Sequence, residues 1–174
     1  VAYVMMAFRI AWFKVHRPLA FYAAYFSIRA KAFDQEFMCQ GMDVCQKKMR
    51  EIIAKDKDAS AVEQDMLTTL EVCYEFYLRG FPFRRMDLSL SDALHFRVDE
   101  EHKALIPPFI SVAGLGETAA LSLAEQAKGR RFISVEEVSA ACPKVSKTHI
   151  DKLTEAGAFG DMPATSQDLF AMLG

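Results

Sequence analysis

Phe109-Ile-Ser-Val-Ala-Gly-Leu-Gly-Glu-Thr-Ala-Ala-Leu-Ser-Leu-Ala-Glu-Gln-Ala127 is the stretch on which the fold reading turns. An apolar run reaches Gly114-Leu115-Gly116, and the helical period that follows predicts a helix from Glu117 to Lys128. Glycine at 114 and 116 removes the Cβ atoms that would hold a charged group away from the backbone. The amides of Gly116, Glu117 and Thr118 then sit at a helix N-terminus, where unpaired N–H groups and the helix dipole favour an anion. Ala119 and Ala120 are small enough to let a second helix approach closely. Such a turn suits a phosphate.

A second unit of the same kind follows, VEEVSAACPKVSKTHIDKLTEAGAF, about 30 residues on. Ser134 and Glu137 read as a capping box for a short helix that ends before Pro143. Lys144-Val145-Ser146 makes the tight turn, Lys147 to Ala156 the second helix, and Gly157 its stop. Two units so spaced read as paired helix-hairpin-helix motifs that clasp a duplex across its minor groove. Lys144, Lys147 and His149 fall where the second turn would meet phosphate. A grip on the backbone reads no bases and needs little net charge, which fits a formal charge of −2.

Upstream, residues 81–109 lose the helical period. Leu94, Phe96 and Val98 alternate with polar residues, DEEHK turns the chain, and ALIPPF follows, so a short β hairpin is expected there. Arg84 and Arg85 lie in a loop that either touches DNA or is simply solvated. Before Gly80 the sequence is helical. Val1–His16 carries apolar residues on nearly every face and reads as packed on several sides, with Trp12 in the core. Pro18 starts a second helix that runs to Ala30. Asp34 caps a third, in which Met38, Met42, Cys45, Met49 and Ile52 form one apolar stripe, and the methionines read as packing residues. After the polar connector KDKDAS, Ser60 and Glu63 form a capping box for a helix that Gly80 stops.

The chain has 174 residues, of which 52% are hydrophobic and 25% charged, and this excludes general disorder. Charge is unevenly spread. Residues 1–33 hold Arg9, Lys14, Arg17, Arg29 and Lys31 and no acid, whereas the middle of the chain is acidic, so two surfaces with different partners are expected. Arg9, Lys14 and Arg17 interrupt the apolar N-terminus, which excludes a membrane span there, and no signal peptide pattern fits. Cys39, Cys45, Cys73 and Cys142 form no CxxC pair. They read as buried, reduced thiols in a cytoplasmic protein rather than as a zinc site. His16, His95, His102 and His149 are scattered and suggest neither a metal site nor a triad. The sequence opens on Val1 rather than Met, as a piece of a longer chain would.

VAYVMMAFRIAWFKVHRPLAFYAAYFSIRA resembles the end of the fingers domain of bacterial family C replicative DNA polymerases. RGFPFRRMDLSLSDALHF, LIPPFISVAGLGETAA and VSKTHIDKLTEAGAF resemble the duplex-binding region that follows it. YFSIRA, and LIPPF ahead of GLG, are closer to the Gram-positive PolC type than to DnaE. The resemblance spans nearly the whole chain, with its motifs in order. It implies a mostly α chain. Residues 1–80 would be the helical end of the fingers, residues 81–160 a small module with a short β hairpin and tandem hairpins, and residues 161–174 a flexible tail.

The activity implied is template-directed DNA synthesis by the full polymerase, a nucleotidyltransferase. The palm, whose aspartates hold Mg2+, would lie upstream with the exonuclease and PHP domains, so this chain alone would be inactive and carry no cofactor. Gly114, Leu115, Gly116, Glu117, Thr118, Lys144, Lys147 and His149 would face primer–template DNA. Arg9 and Lys14 would face the triphosphate or template, or else snorkel from a buried helix. In the tail, Gln167, Leu169 and Phe170 are similar to the short sliding-clamp motif of PolC chains. Here Gln167 stands one place closer to Leu-Phe than usual, and four residues follow Phe170. The clamp and other replisome subunits are the expected partners, with no membrane. Two rival readings remain: a base-excision glycosylase, for which Asp151 is badly placed, and a non-catalytic DNA-binding adaptor with a clamp-binding tail.

Overall fold

A computed structural model describes residues 1–168. α1 (Ala2–His16) and α2 (Pro18–Ile28) meet at Arg17, because Pro18 supplies no N–H and opens the next helix at its first position. α3 (Gln35–Met38) is a single turn capped by Asp34, whose carboxylate accepts from the Glu36 amide. α4 (Met42–Lys55) then starts afresh at Gly41. The continuous stripe from Met38 to Ile52 predicted one helix. The break arises because Gly41 takes φ +108°, which no helix accommodates. α5 (Ala61–Leu78) opens on the expected capping box: the Glu63 amide donates to Ser60 Oγ at 3.2 Å and the Ser60 amide donates back to Glu63 at 3.0 Å. Gly80 ends it at φ +81°.

β1 (Arg97–Asp99) and β2 (Ala104–Ile106) form the expected antiparallel hairpin, with Val98 opposite Leu105. Its strands are short because Pro107 and Pro108 end the second. A 3₁₀ turn at Phe109–Ser111 leads to α6 (Glu117–Ala127), and α7 (Val135–Ala141) and α8 (Lys147–Glu155) complete the described fold. The mostly α reading with a small β hairpin holds.

Two apolar clusters carry the packing. The first gathers Tyr22 and Phe26 of α2, Cys45 and Ile52 of α4, Leu70, Cys73 and Phe76 of α5, with Phe33, Phe96 and Leu105. Phe26 sits at its centre, with ring centroids 5.3 Å from Phe33, 5.6 Å from Phe96 and 5.9 Å from Phe76. Each fully buried aromatic contributes about 2 kcal/mol from area alone. The second joins Phe109, Val112, Leu115, Ala120 and Leu123 to Val138, Cys142, Val145, Ile150 and Leu153. The β hairpin packs on the first cluster. Leu105 belongs to the first cluster, the Arg84 amide donates to its carbonyl at 2.8 Å, and the Phe96 amide reaches Ser27 Oγ at 2.8 Å.

α1 departs from expectation. It buries no residue in this chain, and Trp12, expected in the core, is 57% exposed and lies 4.6 Å, centroid to centroid, from the His16 ring. An all-round apolar pattern signals burial. Burial also needs a partner, and only the C-terminal end of α1 meets one here. Residues 161–168 differ too, in being tied down. The Val135 and Glu136 amides donate to the Pro163 and Ala164 carbonyls at 3.0 Å each, and Thr165 and Asp168 cap one another at the start of a helical turn. Among the described residues no helix is long and apolar enough to cross a membrane.

Candidate nucleic-acid interface

The first hairpin is built around a four-residue reverse turn, Val112 to Leu115. The Leu115 amide donates to the Val112 carbonyl at 3.0 Å, and Gly114 takes φ +85° to close it. Leu115 is 5% exposed and packs into the second cluster. Its amide and side chain are thus both used inside the protein, so Leu115 holds the turn rather than facing a ligand. Gly116 is the N-cap of α6 at φ −74° and ψ 156°, offering no side-chain cap. Gly114, Gly116, Glu117 and Thr118 are exposed, and the amides of Gly116, Glu117 and Thr118 have no partner among the described residues. α6 is the helix of this half of the molecule that leaves its first turn open. Ser134 caps α7 and Ser146 caps α8 with their side chains.

The second hairpin repeats the first at an offset of about 30 residues. The Val145 amide donates to the Cys142 carbonyl at 2.9 Å as Leu115 does to Val112, and Val145 is likewise buried at 4% exposure. Ser146 stands in the place of Gly116, with φ −68° and ψ 160°. One difference separates the turns: Lys144 occupies the place of Gly114 without positive φ. Lys144 and Lys147 are exposed, and the half-buried His149 has its Nδ1 2.9 Å from Ser146 Oγ.

The two turns come together. A Cβ on Gly114 would lie 3.4 Å from His149 Nε2, in van der Waals contact with it. Lys152 Nζ, one turn further along α8, donates to the Ala113 carbonyl at 3.0 Å and fastens one hairpin to the other. Sequence reasoning missed Lys152, because its partner is a backbone carbonyl 39 positions away.

The other expected residues lie elsewhere. Arg9 is exposed on α1. Lys14 is not free: its ammonium pairs with Glu75 of α5 at 2.7 Å and lies over the Phe21 ring. Glu75 also accepts from the Tyr22 hydroxyl, which burial first and this carboxylate second push up to about 12. Arg79 completes the group, donating to the Tyr22 hydroxyl at 3.1 Å and to the Lys14 carbonyl at 3.2 Å. Lys14 therefore fixes the α1–α2 elbow. Arg84 pairs with Asp99, and the stem of Arg85 covers Gly157. His95 and His102 each sit beside an aspartate three residues before them, Asp92 and Asp99. Cys45, Cys73 and Cys142 are buried free thiols and Cys39 is half-buried. No three His, Cys, Asp or Glu side chains converge as metal ligands among the described residues. Gln167 is exposed, while Leu169 and Phe170 lie outside the described residues.

Residues 80–169 match the family model described as "Helix-hairpin-helix motif". Over 168 residues, 95% of the chain, the sequence is 45% identical to "DNA polymerase III PolC-type" of Streptococcus pneumoniae serotype 4. Over the same length it is 43% identical to the protein of that name from Streptococcus pyogenes serotype M1. The chain spans 11% of the length of each of these relatives. The resemblance read from the sequence is borne out.

Proposed function

We propose that this chain, which belongs to the helix-hairpin-helix motif family, is the part of a PolC-type replicative DNA polymerase that holds primer–template duplex by its backbone phosphates. The observation that carries this reading is the open turn at Gly116, Glu117 and Thr118, where three successive exposed amides stand unpaired at the positive end of α6. A phosphate oxygen placed there satisfies these donors and meets the helix dipole. Lys144 and Lys147 add positive charge at the adjoining second turn, with His149 beside them, reaching a neighbouring phosphate. Contacts confined to phosphates position a duplex without selecting its sequence, which suits an enzyme that must copy any template.

The wider assignment is of the same kind. Residues 1–80 would close the fingers, residues 81–160 hold the duplex, and residues 161–174 engage the sliding clamp through Gln167, Leu169 and Phe170, beside other replisome subunits in the cytoplasm. Two-metal phosphoryl transfer needs convergent carboxylates. Those that hold Mg2+ would be supplied by palm residues of the polymerase outside this chain, and by itself the chain would bind DNA without extending it.

Gly116→Asp tests the reading with little risk to the fold. Gly116 has an ordinary negative φ, and a Cβ there meets no atom within 4 Å. Aspartate is moreover a better helix N-cap than glycine, so the helix gains a few tenths of a kcal/mol at most. Its carboxylate occupies the amides and repels phosphate. Duplex binding followed by fluorescence anisotropy across a salt series is expected to weaken by at least about tenfold, with circular dichroism and Tm unchanged or slightly improved. A folded Gly116→Asp protein that binds duplex as well as wild type defeats the proposal.

A further inference from the structure

The first hairpin turn has a neighbour from the other end of the chain. The 3₁₀ turn Ala30–Ala32 packs against the 3₁₀ turn Phe109–Ser111. Beside this junction lies an open cavity of about 440 Å³, walled by Lys31, Asp34 and Met66 on one side and by Val112 to Glu117 on the other. Asp34 and Glu117 both line it, and Lys31 is the one cation among its described lining residues. Lys31 is exposed and makes no ion pair with any described residue, unlike Lys14, Arg29, Lys55 and Arg84, which are all paired with acids. A phosphate approaching the open amides from this side meets two carboxylates. Lys152 and Lys48 act on Asp34 from behind, and Lys31 is the cation at the cavity wall itself.

We infer that Lys31 is a second phosphate-binding element of the same site. In this arrangement the amides of Gly116, Glu117 and Thr118 hold a backbone phosphate while the Lys31 ammonium contacts it, or its neighbour, across the cavity mouth. The strand runs over the turn toward His149 on the opposite flank, where Gly114 and His149 meet. The N-terminal helical part of the chain thereby shares in gripping the duplex. This rests on the reading of the Gly116 turn as a phosphate site.

The experiment compares wild type, Lys31→Ala, Lys31→Arg and Lys57→Ala, each as the full 174-residue chain, by anisotropy on a labelled duplex across a salt series. Lys57 is an exposed cation that makes no ion pair with any described residue and lines no part of this cavity, and it serves as the charge control. Lys31→Ala is expected to weaken binding by about tenfold at low salt and to lower the slope of log K against log salt by about one. Lys31→Arg should recover most of the loss, and Lys57→Ala should change neither quantity. If wild type binds and Lys31→Ala binds equally well, or if Lys57→Ala loses as much, the role of Lys31 is overturned while the turn stands. If wild type itself does not bind duplex, the reading of the turn falls, and the role of Lys31 with it.

Discussion

Gly114 and Gly116 stand two positions apart and do different work. Gly114 is required by conformation, since φ +85° is costly for any side chain, and it has a close neighbour, since a Cβ there would touch His149 Nε2 at 3.4 Å. Gly116 is required by neither; its backbone is extended and its surroundings open. Its glycine is legible only as an exposed N-terminus kept free of side chain. The two positions should therefore part in experiment. Gly114→Ala is expected to cost about 1–2 kcal/mol of stability from backbone strain, read by urea denaturation, whereas Gly116→Asp costs binding alone. Equal stability of Gly114→Ala and wild type would mean that the turn relaxes out of positive φ. Leu115, between them, was expected to face DNA together with the glycines. Its burial explains the motif better: an apolar side chain pinned in the core is what thrusts the flanking amides outward.

Among the elements, helix starts were well predicted because caps are local. Ser60 with Glu63, Ser134 with Glu137 and Asp34 each bond as their spacing predicts, although Glu137 returns its carboxylate to the Ile133 amide rather than to that of Ser134. The stripe of spacing 4 and 3 reads as one continuous helix because it survives a break that keeps both halves against one core. The β hairpin held, and its attachment is electrostatic as well as apolar. The Arg84 guanidinium first, and the His102 backbone amide next, hold the Asp99 carboxyl down to about 2, against an ordinary 3.8. A lowered carboxyl favours the folded state only while the unfolded chain would also be ionised. Its contribution is complete above about pH 4–5 and disappears as pH falls through about 2. Asp99→Asn is thus expected to flatten the fall in Tm between about pH 4 and pH 2. An unchanged acid limb would assign that fall to other carboxylates, Glu63 among them, which Lys55 and the Ser60 amide hold at about 2.

For the whole molecule the telling feature is α1. Tyr3, Phe8, Trp12 and Val15 are each more than half exposed on a helix that buries nothing within the chain. Exposed apolar surface of this kind marks a site of interaction or of self-association. Deleting residues 1–12 removes most of it and leaves Lys14 with its hold on Glu75 and Arg79. Tm is expected to move by less than about 3 °C, a cost of about 1 kcal/mol at most for a chain of this size. Concentration-dependent self-association in sedimentation velocity should fall. A large loss of Tm on this deletion would show that α1 supports the first cluster after all.

What the sequence alone determined is whatever short spacing encodes: helix starts at capping residues, the glycine turns and their 30-residue repeat, the hairpin bounded by prolines, and the division into basic and acidic stretches. These rest on interactions between residues a few positions apart, so composition and order suffice. What only the tertiary structure decided is which of those residues remain free. Lys14 and Arg84 looked available and are consumed by Glu75 and Asp99, 61 and 15 positions away. Lys31 looked like one charge among five and lies across a cavity from Gly116. Trp12 looked buried and is not. Pairing and burial between distant segments depend on how helices pack in three dimensions, and no local spacing records that.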